Sequence, residues 1–114
     1  MAQNALADYA PQPSSLTPEV VVDVVADYFG IDPEKLSGRS RAREVALPRQ
    51  VAMYLLREDS GISLPRIGKE LGGRDHTTVM YACDKVAELI DTDDMMRRKV
   101  SQIRERLHNN KVLV

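Results

Sequence analysis

The sequence predicts an all-α fold: a compact bundle of about six helices containing a helix-turn-helix with a basic loop ahead of it. Three observations carry this. Apolar residues recur at three- and four-residue spacing between chain breaks, and most segments open on a capping residue and several close on glycine. The chain is 43% hydrophobic but has one Phe and no Trp, so its core must come from Val, Leu, Ile, Ala and Met. Its 114 residues suffice for one domain.

Residues 1–15 read as a flexible linker or tail, because Pro11, Pro13, Ser14 and Ser15 separate them from the first periodic segment. The folded unit is expected over 16–108. Thr17-Pro18-Glu19 starts a helix: Thr caps, Pro suits the first position and Glu favours the dipole. Val21, Val24, Val25 and Tyr28 share one face, Asp23 and Asp27 the other, and Gly30 closes it. Asp32-Pro33 opens a short helical turn through Leu36, closed by Gly38.

Arg39 to Arg43 is RSRAR, with three arginines at alternate positions. It reads either as a solvated loop or as an extended arm along phosphates or in a minor groove. Charge distribution favours the arm. Residues 1–38 carry one positive and six negative charges, 39–78 eight and five, and 79–114 seven and six, against a net charge of −1. Pro48 is expected in the first turn of a third helix running to about Glu58, with Val51, Ala52, Leu55 and Leu56 buried. That placement sets Arg49 and Gln50 beside free N–H groups, a phosphate cradle; the plainer reading pairs Arg49 with a surface carboxylate.

Ser63 is expected to cap a fourth helix, Leu64 to Leu71, in whose first turn Pro65 is tolerated. Gly72-Gly73 then breaks the chain. Asp75 stands where the next N-cap belongs, followed by His76, Thr77 and Thr78 on the first turn and by Val79, Cys83, Val86 and Ile90 on the buried face. A polar, donor-rich tip with an apolar back, reached through a short turn, suits a helix that reads a major groove. This fifth helix should end near Ile90. Thr92 is expected to cap a sixth, packed through Met96, Val100, Ile103 and Leu107, with Arg97, Arg98 and Lys99 on a solvated face. Residues 109–114 read as a frayed C-terminal tail.

These residues carry a resemblance. From about Thr17 to Leu107 the chain resembles the C-terminal DNA-binding domain (domain IV) of DnaA, the family of bacterial chromosomal replication initiators. The segments that match are Arg39 to Gln50, LPRIG at Leu64 to Gly68 and GGRDHTTV at Gly72 to Val79. A generic helix-turn-helix has no reason to carry that last string. The resemblance implies sequence-specific binding of double-stranded DNA at DnaA boxes in replication origins. The recognition helix would enter the major groove and a basic-loop arginine the minor groove. Matched by position, Asp75, His76 and Thr77 would read bases, Arg41 would be the minor-groove arginine, and Pro65 would line the groove. Arg43, Arg49, Gln50, Arg57, Arg74 and Thr78 would contact the backbone. Leu47, where some relatives are basic, and Glu44 depart from the pattern and weaken attraction to phosphate. Side-chain chemistry agrees: Asp accepts from a cytosine amino group, and Thr offers a methyl or a hydroxyl to a base edge.

Other classes fit less well. Cys83, the single cysteine, leaves no internal disulfide and makes no zinc site alone, and the helical period buries it away from nucleophilic chemistry. His76 as a metal ligand lacks convergent partners; His108 is distant in sequence. No G-x-x-x-x-G-K-[ST] loop is present, since Gly68-Lys69 lacks the upstream glycine and the following hydroxyl residue. No catalysis and no cofactor are therefore expected in this chain. ATP belongs, by the resemblance, to a separate ATPase domain, and the chain reads as an excised domain or truncated initiator. Expected partners are the DNA duplex and the initiator's other domains or protomers. The isolated domain is expected to be monomeric, cytoplasmic and nucleoid-associated, without a membrane span. Two alternatives remain: a stand-alone regulator that borrowed the domain, and a helical protein-interaction module with an exposed apolar groove.

Overall fold

The computed structural model describes residues 16–40 and 42–113, with side chains to Asn109. The 1–15 tail and Arg41 lie outside the described residues. Six helices follow one another: α1 Pro18–Phe29, α2 Pro33–Ser37, α3 Arg43–Glu58, α4 Leu64–Glu70, α5 His76–Thr92 and α6 Asp94–Leu113. Among the described residues there is no strand, and the all-α expectation holds.

Helix α3 is the central element. Val45, Val51, Ala52, Met53, Leu55 and Leu56 are all buried along it, because it packs α1 and α2 on one side and α4 and α5 on another. A helix apolar over so much of its circumference belongs inside a bundle. It also starts earlier than the sequence suggests. The expected start near Pro48 is wrong: α3 begins at Arg43, and Pro48 lies inside it. Pro48 lacks an N–H and would ordinarily weaken a helix. Its own burial and that of Val45 one turn earlier supply packing that offsets the lost bond. Arg43, the last arginine of the RSRAR segment, is consequently already helical.

Caps follow the sequence at three helices, among them α5 with Asp75, and depart from it at two. Thr17 Oγ1 accepts from the Val20 N–H at 3.3 Å, and Asp32 Oδ1 from the Glu34 N–H at 3.0 Å. Ser63 stands at the N-cap of α4 but makes no side-chain cap bond there. Thr92 is not a cap; it is the last residue of α5, two residues past the expected end, and its hydroxyl donates back to the Glu88 carbonyl at 3.0 Å. The cap is Asp93, whose Oδ1 accepts from the N–H groups of Met95 at 2.9 Å and Met96 at 3.3 Å. Adjacent Thr and Asp have similar capping chemistry, and the bend of the backbone decides between them. Helix α6 then runs past His108 to Leu113.

The expected stripe of α6, Met96, Val100, Ile103 and Leu107, is buried. It seats α6 against α5 and α1. The Tyr28 hydroxyl donates to Gln102 Oε1 at 2.5 Å, and Arg106 pairs with Asp27 at 3.1 Å. Arg104 forks onto both oxygens of Asp59 at 2.9–3.3 Å and lies 5.5 Å from the centre of the Tyr54 ring. Among the described residues no helix is long and apolar enough to cross a membrane.

Candidate nucleic-acid interface

The α4–turn–α5 unit is held by backbone before any side chain reaches outward. Gly72 and Gly73 both adopt positive φ, 89° and 71°, a region costly to residues with a Cβ. The Arg74 N–H then donates to the Gly68 carbonyl at 2.9 Å, closing the turn onto α4. Gly68 is buried, and a Cβ there would run into the Arg74 carbonyl. A Cβ on Gly72 would meet the Arg74 guanidinium and the Gly38 carbonyl, so the turn also abuts the segment leading out of α2.

Helix α5 divides as the sequence suggests. Val79, Ala82, Cys83 and Val86 are buried, while His76, Thr77 and Thr78 stand exposed at its N-terminal tip. Asp75 is the N-cap; its Oδ1 accepts from the Thr78 N–H at 2.8 Å. That backbone bond, then the Thr78 hydroxyl, and the His76 charge hold the Asp75 carboxyl below the ordinary carboxylate range, against a smaller opposing effect of burial. An ionised acceptor and three donor-bearing side chains therefore share one exposed helix end. Cys83 lies on the opposite side, and burial pushes its thiol pKa up despite the nearby Arg57 guanidinium.

A groove of about 150 Å³ beside the tip, between α3 and α5, is lined by Arg49, Gln50, Arg74 and Thr78. It continues into a more polar depression formed by Arg39, Gly72, Gly73, Arg74 and Thr78. The structure thus assembles four of the six expected backbone-contact residues around the α5 tip. Arg43 is exposed at the first position of α3. Arg57 does not join the groove: it lies near the C-terminal end of α3, 3.9 Å from Asp84 and from Glu58. Pro65 lies on the exposed start of α4, in a separate depression with Ser63, Arg66, Lys69 and Glu70.

Arg49 requires a correction. It is not in a first helical turn beside free N–H groups, because α3 begins six residues earlier. Nor does it pair with a surface carboxylate. It is 6% exposed, and its guanidinium donates to three carbonyls: Nε to Leu36 at 3.0 Å, Nη1 to Ser40 at 2.7 Å and Nη2 to Lys35 at 2.6 Å. Burial, then the neighbouring Arg74 charge, lowers its pKa from the ordinary arginine value. Arg74 is similarly engaged, with Nη1 donating to Leu71 at 2.6 Å and Gly38 at 3.0 Å.

Two groove residues escaped the sequence reading. Arg39 lines the polar depression, although it attracted notice only as part of a charge run. Tyr81, 74% exposed, lies one helical turn beyond Thr78 on the same wall. The spacing of three from Thr78 was the available signal for Tyr81.

Residues 18–86 match the family model described as the bacterial dnaA protein helix-turn-helix. The chain is 55% identical over 97 residues to the chromosomal replication initiator protein DnaA of Roseiflexus castenholzii, a match covering 85% of this chain and 20% of that protein. Against the protein of the same name from Chloroflexus aggregans it is 53% identical over 92 residues, 81% of this chain and 19% of the relative. Against that from Picosynechococcus sp. it is 43% identical over 107 residues, 94% and 23% respectively. The chain spans about one-fifth of the length of these relatives. The match takes in α1 to α4, the glycine turn and most of α5, including the capped tip and both arginines behind it. The chain belongs to the bacterial DnaA helix-turn-helix family.

Proposed function

We propose that this chain binds double-stranded DNA sequence-specifically, at DnaA boxes of a replication origin, and carries no catalysis of its own. One observation carries the reading. The N-terminal tip of α5 exposes an ionised Asp75 and the donors of His76, Thr77 and Thr78, while its back is locked into the core and basic residues flank it. A helix end of this kind fits the major groove, with side chains reaching base edges and arginines near phosphates. Arg41, in the basic loop and outside the described residues, takes the adjacent minor groove in this reading. Pro65 lines the major groove and Arg43, Gln50 and Arg57 approach the backbone. Longer relatives named as replication initiators supply the setting: the duplex, the other domains of the initiator and further protomers are the partners, ATP belongs to a separate domain, and the place of action is the nucleoid.

The test is a titration of the chain against a box-containing duplex and a scrambled duplex at two salt concentrations. The box should bind more tightly at both. His76→Ala and Thr77→Ala should each lose discrimination, by about 1–3 kcal/mol per base contact, with little change in salt slope. Equal binding of the unaltered chain to both duplexes refutes specificity. No binding to either favours a helical interaction module.

A further inference from the structure

Helix α4 has two unlike faces. Ile67 and Gly68 are buried, as is Leu71 at its C-cap. Pro65, Arg66, Lys69 and Glu70 line one outward depression together with Ser63. Pro65 lines the major groove in the proposed reading, and two cations share its face. Arg66 is loosely engaged. Its side chain is 61% exposed, and its Nε lies 3.9 Å from Glu70 Oε2 one turn on. An exposed ion pair at that distance is weak and screened, so a closer anion displaces it. Lys69 is exposed, and among the described residues neither it nor Arg66 makes a side-chain hydrogen bond. Arg97, Arg104 and Arg106, in contrast, donate to protein carboxylates.

The backbone that carries the two cations is fixed relative to the α5 tip. The Arg74 N–H bonds the Gly68 carbonyl at 2.9 Å, and Gly68 lies too close to the Arg74 carbonyl to admit a Cβ. Arg66 lies two residues before this junction and Lys69 one residue after it. In a helix-turn-helix the second helix enters the major groove while the first crosses the phosphate backbone. Helix α4 is that first helix. Residues three apart are neighbours on a helix surface, displaced by about 4.5 Å along the axis.

We infer that Arg66 and Lys69 form a further phosphate-binding strip on α4, separate from the basic groove between α3 and α5, that grips the DNA backbone where α4 crosses it. This rests on the reading of the α5 tip as the major-groove reader. Arg66 can fork onto one phosphate through two N–H groups, and Lys69 acts as a point charge beside it. Glu70 works against the strip: it repels phosphate and holds Arg66 in the unbound chain. On binding, the guanidinium exchanges a loose carboxylate for a phosphate. Such contacts add affinity and salt dependence but carry no sequence information.

The experiment measures affinity for the box duplex and the scrambled duplex across a fourfold range of salt, with circular dichroism on every variant. Arg66→Ala and Lys69→Ala should each weaken binding to both duplexes by the same factor and leave the preference for the box in place. Each should also reduce the salt slope by about one counterion, so that the advantage of the unaltered chain shrinks about threefold as salt rises fourfold. Arg98→Ala, on the exposed face of α6, removes the same charge away from the strip and should leave the slope unchanged. Glu70→Gln should strengthen binding to both duplexes. Replacing single phosphates of the box duplex by neutral methylphosphonates locates the contact: at one position the unaltered chain should lose affinity while Arg66→Ala loses no more. Folded Arg66→Ala and Lys69→Ala variants that keep the full slope overturn the inference, as does a slope change matched by Arg98→Ala. A loss confined to the box duplex overturns it too, because it marks base reading. An unaltered chain that binds neither duplex, or both alike, overturns the reading of the tip and the inference with it, and is recognised before any variant is measured.

Discussion

Replacing Gly68 by Ala sets two effects of opposite sign against each other. In an open helix, Ala is preferred over Gly by about 0.8–1.0 kcal/mol. Here α4 passes so close to the turn that a Cβ on Gly68 would run into the Arg74 carbonyl and lie 3.0 Å from its carbon and 3.4 Å from Val79 Cγ2. The obstruction is backbone rather than the end of a flexible side chain, so the turn itself must shift. Inserting a methyl into a well-packed site costs about 1–3 kcal/mol. The shift also loosens the 2.9 Å bond from the Arg74 N–H to the Gly68 carbonyl, worth about 1 kcal/mol net. The clash and the weakened bond together exceed the propensity gain, and the variant should lose about 1–2 kcal/mol. For a domain of this size that is a fall in Tm of roughly 4–16 °C. Thermal melting followed by circular dichroism measures it, with Lys69→Ala on the exposed side of the same helix as a control expected within about 0.5 kcal/mol. Because the turn delivers the α5 tip, box discrimination should fall in the folded variant at low temperature. A Gly68→Ala protein that melts above the unaltered chain refutes the close approach.

Asp75 has a depressed carboxyl pKa in the folded state, so its contribution to stability is complete above the ordinary carboxylate range and is lost as pH falls through the lower folded value; Asp75→Asn, which keeps an oxygen to cap the helix, should flatten that acid limb of the stability curve without an equal loss at neutral pH. The buried Cys83 thiol, with its raised pKa, should react with a disulfide reagent slowly in the native protein and rapidly once unfolded; native and unfolded rates that coincide would place it at the surface. Arg104→Ala removes a bidentate pair that is partly exposed and therefore screened, and it should cost about 1 kcal/mol, with part of the difference disappearing in high salt.

What could be read from the sequence was local. The Thr17 and Asp75 caps were legible because donor and acceptor lie three residues apart, and the buried faces of α5 and α6 because one period runs the length of each helix. The start of α3 was not. Pro48 has the form of a first-turn proline, and only tertiary packing of Val45 shows that the helix began earlier. The role of Arg49 was hidden for a different reason. Its partners are main-chain carbonyls nine to fourteen residues away, and a carbonyl carries no mark of residue type. A basic residue inside a basic stretch then looks like surface charge. The tip was therefore legible as a cluster of side chains, while the supports behind it were not.

The approach of Gly38 to Gly72 is backbone against backbone, with the Arg74 guanidinium beside it bonded to the Gly38 carbonyl. Two arms joined in this way behave as a ruler of fixed length. On a duplex, inserting one base pair between the major-groove and minor-groove portions of a site moves them apart by about 3.4 Å and turns one against the other by roughly 34°. Long side chains could absorb a mismatch of that size at a flexible joint; two backbones packed directly against each other leave little room for it. The domain should accept base substitutions in the flank as graded losses but treat a single inserted pair as the loss of one whole arm. Spacing, more than composition, then sets the boundary between a site and its near neighbours.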